Sequence, residues 1–172
     1  MMLGAVLNIV PDYWNDANYD SRRYHLFELN NEDDEYINEM EAFDRNRIRV
    51  TKLERIQNPF QFGRFQIRKE QKDFRNNIVE KIKCYHCISQ GDLNIALEHN
   101  LDVRRYVSTQ GDGFQLEKKN PKFYRNLSDA YNSITCSNKV ILICDILGRG
   151  NVDTCVPTND TEYMPKYVAY LS

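Results

Sequence analysis

From Val140 to Leu147 the chain reads V-I-L-I-C-D-I-L, a nearly unbroken apolar run whose one interruption is Asp145. With Lys139 at its head, such a run reads as a strand buried on both faces, which places it inside a sheet. It is far short of the roughly 20 apolar residues that cross a bilayer, so no membrane association is expected. The whole chain has 172 residues, 41% of them hydrophobic, which suits one core and excludes a second large domain. Lys plus Arg (23) nearly balances Asp plus Glu (25), so the bulk charge is not that of a nucleic-acid-binding polycation. Leu3 to Val10 is apolar but lacks a basic leader and a small-residue cleavage site, and reads as an N-terminal extension (1–10) rather than a signal peptide. Five cysteines, an odd number, then imply free thiols in a reducing compartment, cytoplasmic or nuclear.

Periodicity supplies the other elements. Acid-rich Glu32 to Asp34 opens a helix over 32–45 in which Ile37, Met40 and Phe43 recur at helical spacing. Ile48 and Val50 alternate with charges in a strand over 47–57, which Asn58-Pro59 stops. A second helix starts near Pro59, carries Phe60, Phe65 and Ile67, and ends near Asn76 or Asn77. Ile82, Cys84, His86 and Ile88 share one face of a further strand, putting His86 among apolar neighbours. Helix 93–99, an extended piece over 101–107, a loop over 108–113, an exposed charged stretch over 117–122, helix 127–134 capped by Asn126 or Ser128, and a final strand over 167–171 complete the expectation. Helices early and strands late suggest an α+β fold.

Three groups could carry chemistry. Cys84-x-x-Cys87 has the spacing of a metal half-site or redox pair, but Cys136, Cys144, Cys155, His25 and His99 offer no second paired spacing, and residues three apart in a strand face opposite sides. No metal is therefore expected. His86 on its apolar face is either a satisfied core histidine or a functional one. Arg64, Arg68, Lys69, Lys72 and Arg75, interleaved with phenylalanines, form either a solvated helix face or an RNA-binding surface.

A resemblance shifts the weight among these readings. Val50-Thr-Lys-Leu-Glu-Arg-Ile-Gln-Asn-Pro-Phe60, with the basic helix after it, resembles a segment of the poly(ADP-ribose) polymerase catalytic domain in its CCCH zinc-finger mono-ADP-ribosyltransferase branch. Pro11-x-x-Trp14, Tyr24-x-Leu-x-Glu-Leu29, Tyr85-His86-Cys87-Ile88-Ser89, Asn100-Leu-Asp-Val-Arg104, Val140 to Gly148, Asp153-Thr-Cys-Val156 and Pro165 to Tyr170 are similar to further segments of that branch, in the same order. The likeness runs over 11–172 and implies split antiparallel sheets with flanking helices, built to cleave NAD and transfer ADP-ribose.

Carried over position by position, the resemblance implies His86 as the ribose-binding histidine, Tyr124 as the nicotinamide-stacking tyrosine with Phe123 as the competing counterpart, and Tyr167 at the third catalytic position. Cys87, Ser128 and Tyr131 complete the implied cofactor pocket. Several of these depart from the family pattern: Cys87 adds a side chain where the family has glycine, no G-K-G precedes Tyr124, and Tyr167 places a bulky ring on the ribose side. The loop after Gly148 is short, and the sequence ends at Ser172 before the family's closing strand. These losses point to a degenerate domain that has no cofactor and works by binding a protein partner. The alternatives are an active NAD-dependent mono-ADP-ribosyltransferase and an RNA-binding module.

Overall fold

The computed structural model describes residues 5, 7–106 and 120–172. Seven strands form one sheet: β1 (His25–Glu28), β2 (Val50–Gln57), β3 (Glu80–Ser89), β4 (Phe123–Tyr124), β5 (Lys139–Gly148), β6 (Thr154–Cys155) and β7 (Tyr163–Leu171). Their order is β1-β2-β7-β5-β3-β4-β6, and every neighbouring pair is antiparallel. Four helices with fully described bounds accompany them: α1 (Asp34–Arg45), α2 (Pro59–Phe74), α3 (Leu93–Glu98) and α4 (Leu127–Asn132). The class is α+β, as the sequence implies, but the seven strands are continuous rather than split into two sheets. Strands and helices also interleave along the chain instead of falling early and late, and β1, β4 and β6, too short to show a period of their own, add strands the sequence does not announce.

β5 lies at the centre of this sheet, and its apolar run is buried on both sides as its composition requires. Val140, Leu142, Cys144 and Ile146 join one core cluster, covered by Leu93, Ala96 and Leu97 of α3 and by Leu101, Val103 and Tyr106 beyond it. Ile141 and Ile143 face the other cluster, covered by Met40 and Phe43 of α1 and Leu127 and Ala130 of α4. A third cluster joins Phe62 and Phe65 of α2 to Val79, Leu147 and Met164, with Val10 and Trp14 of the N-terminal segment against it.

Several boundaries differ from the sequence reading for local reasons. On α1 the buried stripe is Glu39, Met40 and Phe43, whereas Ile37 is exposed. On α2 Phe62 and Phe65 are buried while Ile67 and Phe74 are exposed, and the helix stops at Phe74. The extended piece expected over 101–107 is instead a 3-10 turn over Val103–Arg105, entered through Asn100 and Leu101 with φ of 52° and 57°. Position 107, the loop over 108–113 and residues 117–119 lie outside the described residues.

The last strand is longer than its sequence suggests. Proline cannot donate to a ladder, so inside a sheet Pro165 needs an edge, a strand start or a bulge. It is accommodated at a β-bulge: Tyr167 faces Ile143 and Pro165 faces Cys144, leaving Lys166 as the extra residue. The strand therefore starts at Tyr163, four residues before the expected Tyr167.

Candidate functional site

His86 stands near the middle of β3, on the face of α3, and is 8% exposed. Its Nδ1 lies 2.9 Å from the backbone oxygen of Lys122 and its Nε2 lies 3.0 Å from the Tyr106 hydroxyl. A carbonyl can only accept, so Nδ1 carries the proton and the bare Nε2 accepts from Tyr106. Phe123 closes the remaining side, its ring centroid 5.6 Å from that of the imidazole. Burial drives the His86 pKa down to about 4 against the weaker opposing effect of the Lys122 carbonyl. At neutral pH the ring is uncharged, with both nitrogens engaged.

Four of the other residues implied by the resemblance, Cys87, Tyr124, Tyr131 and Tyr167, lie on the opposite face. Tyr124 pairs with Tyr85 and packs with the second cluster. Tyr167 and Cys87 belong to that same cluster, and Tyr131 of α4 packs against it. Ser128 sits in the first turn of α4, where the Asn126 side chain accepts its backbone N–H at 2.8 Å and caps the helix. The sheet thus separates His86 from Tyr124, Tyr131, Tyr167 and Cys87, and brings it together with Phe123 and with Tyr106, which the sequence reading does not single out. Tyr106 carries its own signal only in hindsight, as an aromatic shortly after the Asn100-Leu-Asp turn.

On the second face Tyr167 is part of a polar network. Its hydroxyl donates to Glu35 Oε2 at 2.7 Å, and Arg55 donates from Nε to the same oxygen at 3.1 Å and from a terminal nitrogen to Oε1. Burial pushes the Glu35 carboxyl up, but the bonds from Arg55 and Tyr167 outweigh it and hold the group below its ordinary range. Burial and the Glu35 carboxylate both push the Tyr167 hydroxyl far up, so it is a donor at any physiological pH. Arg55 also donates to Asn15 Oδ1 at 2.9 Å and to Gln57 Oε1 at 3.1 Å.

The R-I-Q-N-P segment owes its composition to this junction. Gln57 is fully buried and clamps the N-terminal segment twice, accepting from the Asn15 N–H and donating to the Asn15 carbonyl, both at 2.8 Å. Asn58 caps α2 by accepting from the Gln61 N–H at 3.0 Å, and Pro59 takes the first helical position.

Beside Tyr167 a cleft of about 200 Å³ opens between the N-terminal segment, α2 and the sheet, lined in part by Tyr13, Trp14, Arg55, Lys81 and Lys166. A second cavity of about 10 Å³, bordered by Tyr24, Gln61 and Asn100, has room for no more than one water. His86 lines neither. The signal for the larger cleft is Asp145, the one charge in the apolar run, which lines it.

The remaining candidates are engaged elsewhere. Cys84 and Cys87 fall on opposite faces, and burial raises their thiols to about 11 and about 12, so both stay protonated at neutral pH. No group of three or more metal-ligating side chains is found among the described residues. Of the basic residues on and after α2, Arg64 pairs with Asp160, Arg68 and Lys72 with Glu162, and Lys69 with Asp73. Arg75 alone of the five has no carboxylate partner among the described residues, and Arg68 and Lys72 share the one carboxylate of Glu162, so three of the five charges are balanced and two are left over. No helix among the described residues is long and apolar enough to cross a membrane. No protein-family model matches the chain, and no curated protein matches it.

Proposed function

We propose that the chain is a degenerate ADP-ribosyltransferase-like domain of the cytoplasm or nucleus that acts by binding a protein partner and not by turning over NAD. The reading starts from the ordered run of motifs between Pro11 and Tyr170. The observation that carries the loss of chemistry is the state of His86. A histidine that is to hold a ribose hydroxyl needs a ring nitrogen free toward a cavity, and both nitrogens of His86 are spent on Lys122 and Tyr106 inside the core. Tyr167, at the third position the resemblance implies, spends its hydroxyl on Glu35 of α1 on the second face. With its polar groups directed inward in this way, the domain acts as a scaffold.

The test is NAD binding and turnover together. Thermal unfolding with and without millimolar NAD should give the same midpoint, since a ligand that binds only the native state would raise it by mass action. Labelled NAD should leave no label on the protein. Automodification that is present in the wild type and absent in His86→Ala would reverse the proposal in favour of an active mono-ADP-ribosyltransferase.

A further inference from the structure

The cleft beside Tyr167 has the chemistry of a ligand site, and it lies on the face opposite His86. Two neighbouring strand residues normally point to opposite faces. The bulge at Pro165 breaks that rule, so Lys166 and Tyr167 both line the cleft. Bulges recur beside binding sites because they re-aim a side chain in this manner.

Charge bookkeeping selects the ligand's sign. Arg55 is committed to Glu35, Asn15 and Gln57. Lys166 shares Asp145 at 3.5 Å. Lys81 has the Phe65 ring 5.9 Å away and no ion-pair partner among the described residues. One positive charge is left over, which fits a monoanion. The walls select its shape. Trp14 stands edge-on to Phe62 with centroids 5.5 Å apart, and the half-exposed Tyr13 lies with its ring 5.2 Å from the Arg55 guanidinium carbon. Aromatic walls of this kind favour a planar ring. The volume of about 200 Å³, below the range of about 300–1,000 Å³ typical of drug-sized ligands, suits a single ring.

We propose that this cleft binds a small arene carboxylate, its ring against Trp14 and Tyr13 and its carboxylate met by Lys81 and Lys166. The site is independent of whether the domain retains NAD chemistry. Trp14 is the single tryptophan of the chain, so its emission reports the cleft directly. Benzoate serves as the probe, with benzamide as its neutral counterpart and acetate as the anion without a ring. Benzoate should change Trp14 emission saturably and raise the thermal midpoint, with benzamide and acetate binding at least roughly tenfold more weakly, the factor that one charge-assisted hydrogen bond supplies. Lys81→Gln and Lys166→Gln should each weaken benzoate by a similar factor, the first while unfolding at the wild-type temperature and the second, which strips the counter-ion from Asp145, while still unfolding in one cooperative step. Equal binding of benzoate and benzamide, undiminished binding in both lysine variants, or no saturable response to benzoate would each overturn the proposal.

Discussion

His86 shows how one buried side chain can couple the whole fold to pH. Its folded-state pKa of about 4 lies below the ordinary 6.5, so the unfolded chain takes up the proton first as the solution is acidified. The stability that the neutral ring contributes is complete above pH 6.5 and is lost as pH falls from there toward 4, on the order of 3 kcal/mol over the window. Glu35 and Asp73, both held below their ordinary values, lose their own contributions in the acid range and add to the same slope. His86→Gln removes only the imidazole's share. Its thermal midpoint should therefore fall less steeply than that of the wild type between pH 6.5 and 4, and an unchanged slope would show that His86 is not the group responsible.

Tyr167 belongs to the same scale of argument with a different outcome. Tyr167→Phe deletes one donor to a carboxylate that keeps its Arg55 partner, and should cost about 1–2 kcal/mol in urea unfolding. Glu35→Ala strips the counter-ion from an arginine whose side chain is 10% exposed and should cost more, about 3 kcal/mol. If the two variants were equally mild, the network would contribute little to stability and Tyr167 would be a simple packing residue.

At the scale of elements, the N-terminal segment is tied to the sheet chiefly through Gln57 of β2. Gln57→Leu keeps the volume but removes both side-chain bonds to the exposed Asn15 backbone, whose N–H and carbonyl then turn to water, and should cost about 1 kcal/mol for each bond lost. Residues 11–20 should then become the first site of limited proteolysis while β2 to β7 stay protected. Uniform protection would mean that Trp14 against Phe62 suffices to hold the segment. Asn58→Ala, by contrast, removes only a helix cap and should cost about 1 kcal/mol without releasing the segment.

These elements also mark what can be read from the residues. β2, β3, β5 and all four helices announce themselves through period, cap or apolar run. Ser128 and Asn126 both suit the cap of α4 by residue type, and the geometry selects Asn126, whose side chain accepts from Ser128 and Asp129. β1, β4 and β6 are not legible because strands of two to four residues carry no periodicity, and their pairing comes entirely from long-range partners. The candidate site fails for a related reason. Linear motifs place His86, Tyr124 and Tyr167 in order, but which face each takes depends on register, and a one-residue difference moves a side chain to the other side of the sheet. Phe123 and Tyr124 are that case: the former reaches His86 and the latter does not. Asp145 shows the converse, a polar break in an apolar run whose charge alone marks the position that borders a cleft.

At the scale of the whole molecule, the order of strands imposes a constraint that no single segment shows. β7 is the last strand in sequence, yet it lies between β2 and β5, so the sheet has no continuous middle until residues 163–171 arrive. Tyr163 and Val168 belong to the first core cluster, Tyr167 and Ala169 to the second, and Met164 to the third, so the strand joins all three. At about 2 kcal/mol of burial each, Tyr163, Met164, Tyr167 and Val168 together match the roughly 5–15 kcal/mol that holds a domain of this size folded. The chain should consequently fold as one unit around its final strand rather than by stepwise addition from the N-terminus. Removal of 163–172 should abolish both the near-ultraviolet circular dichroism and the cooperative thermal transition, although every helix remains in the sequence. A truncated chain that still unfolds in one sharp step would mean that β1 and β2 form a separate unit from β3 to β6, bridged but not built by β7.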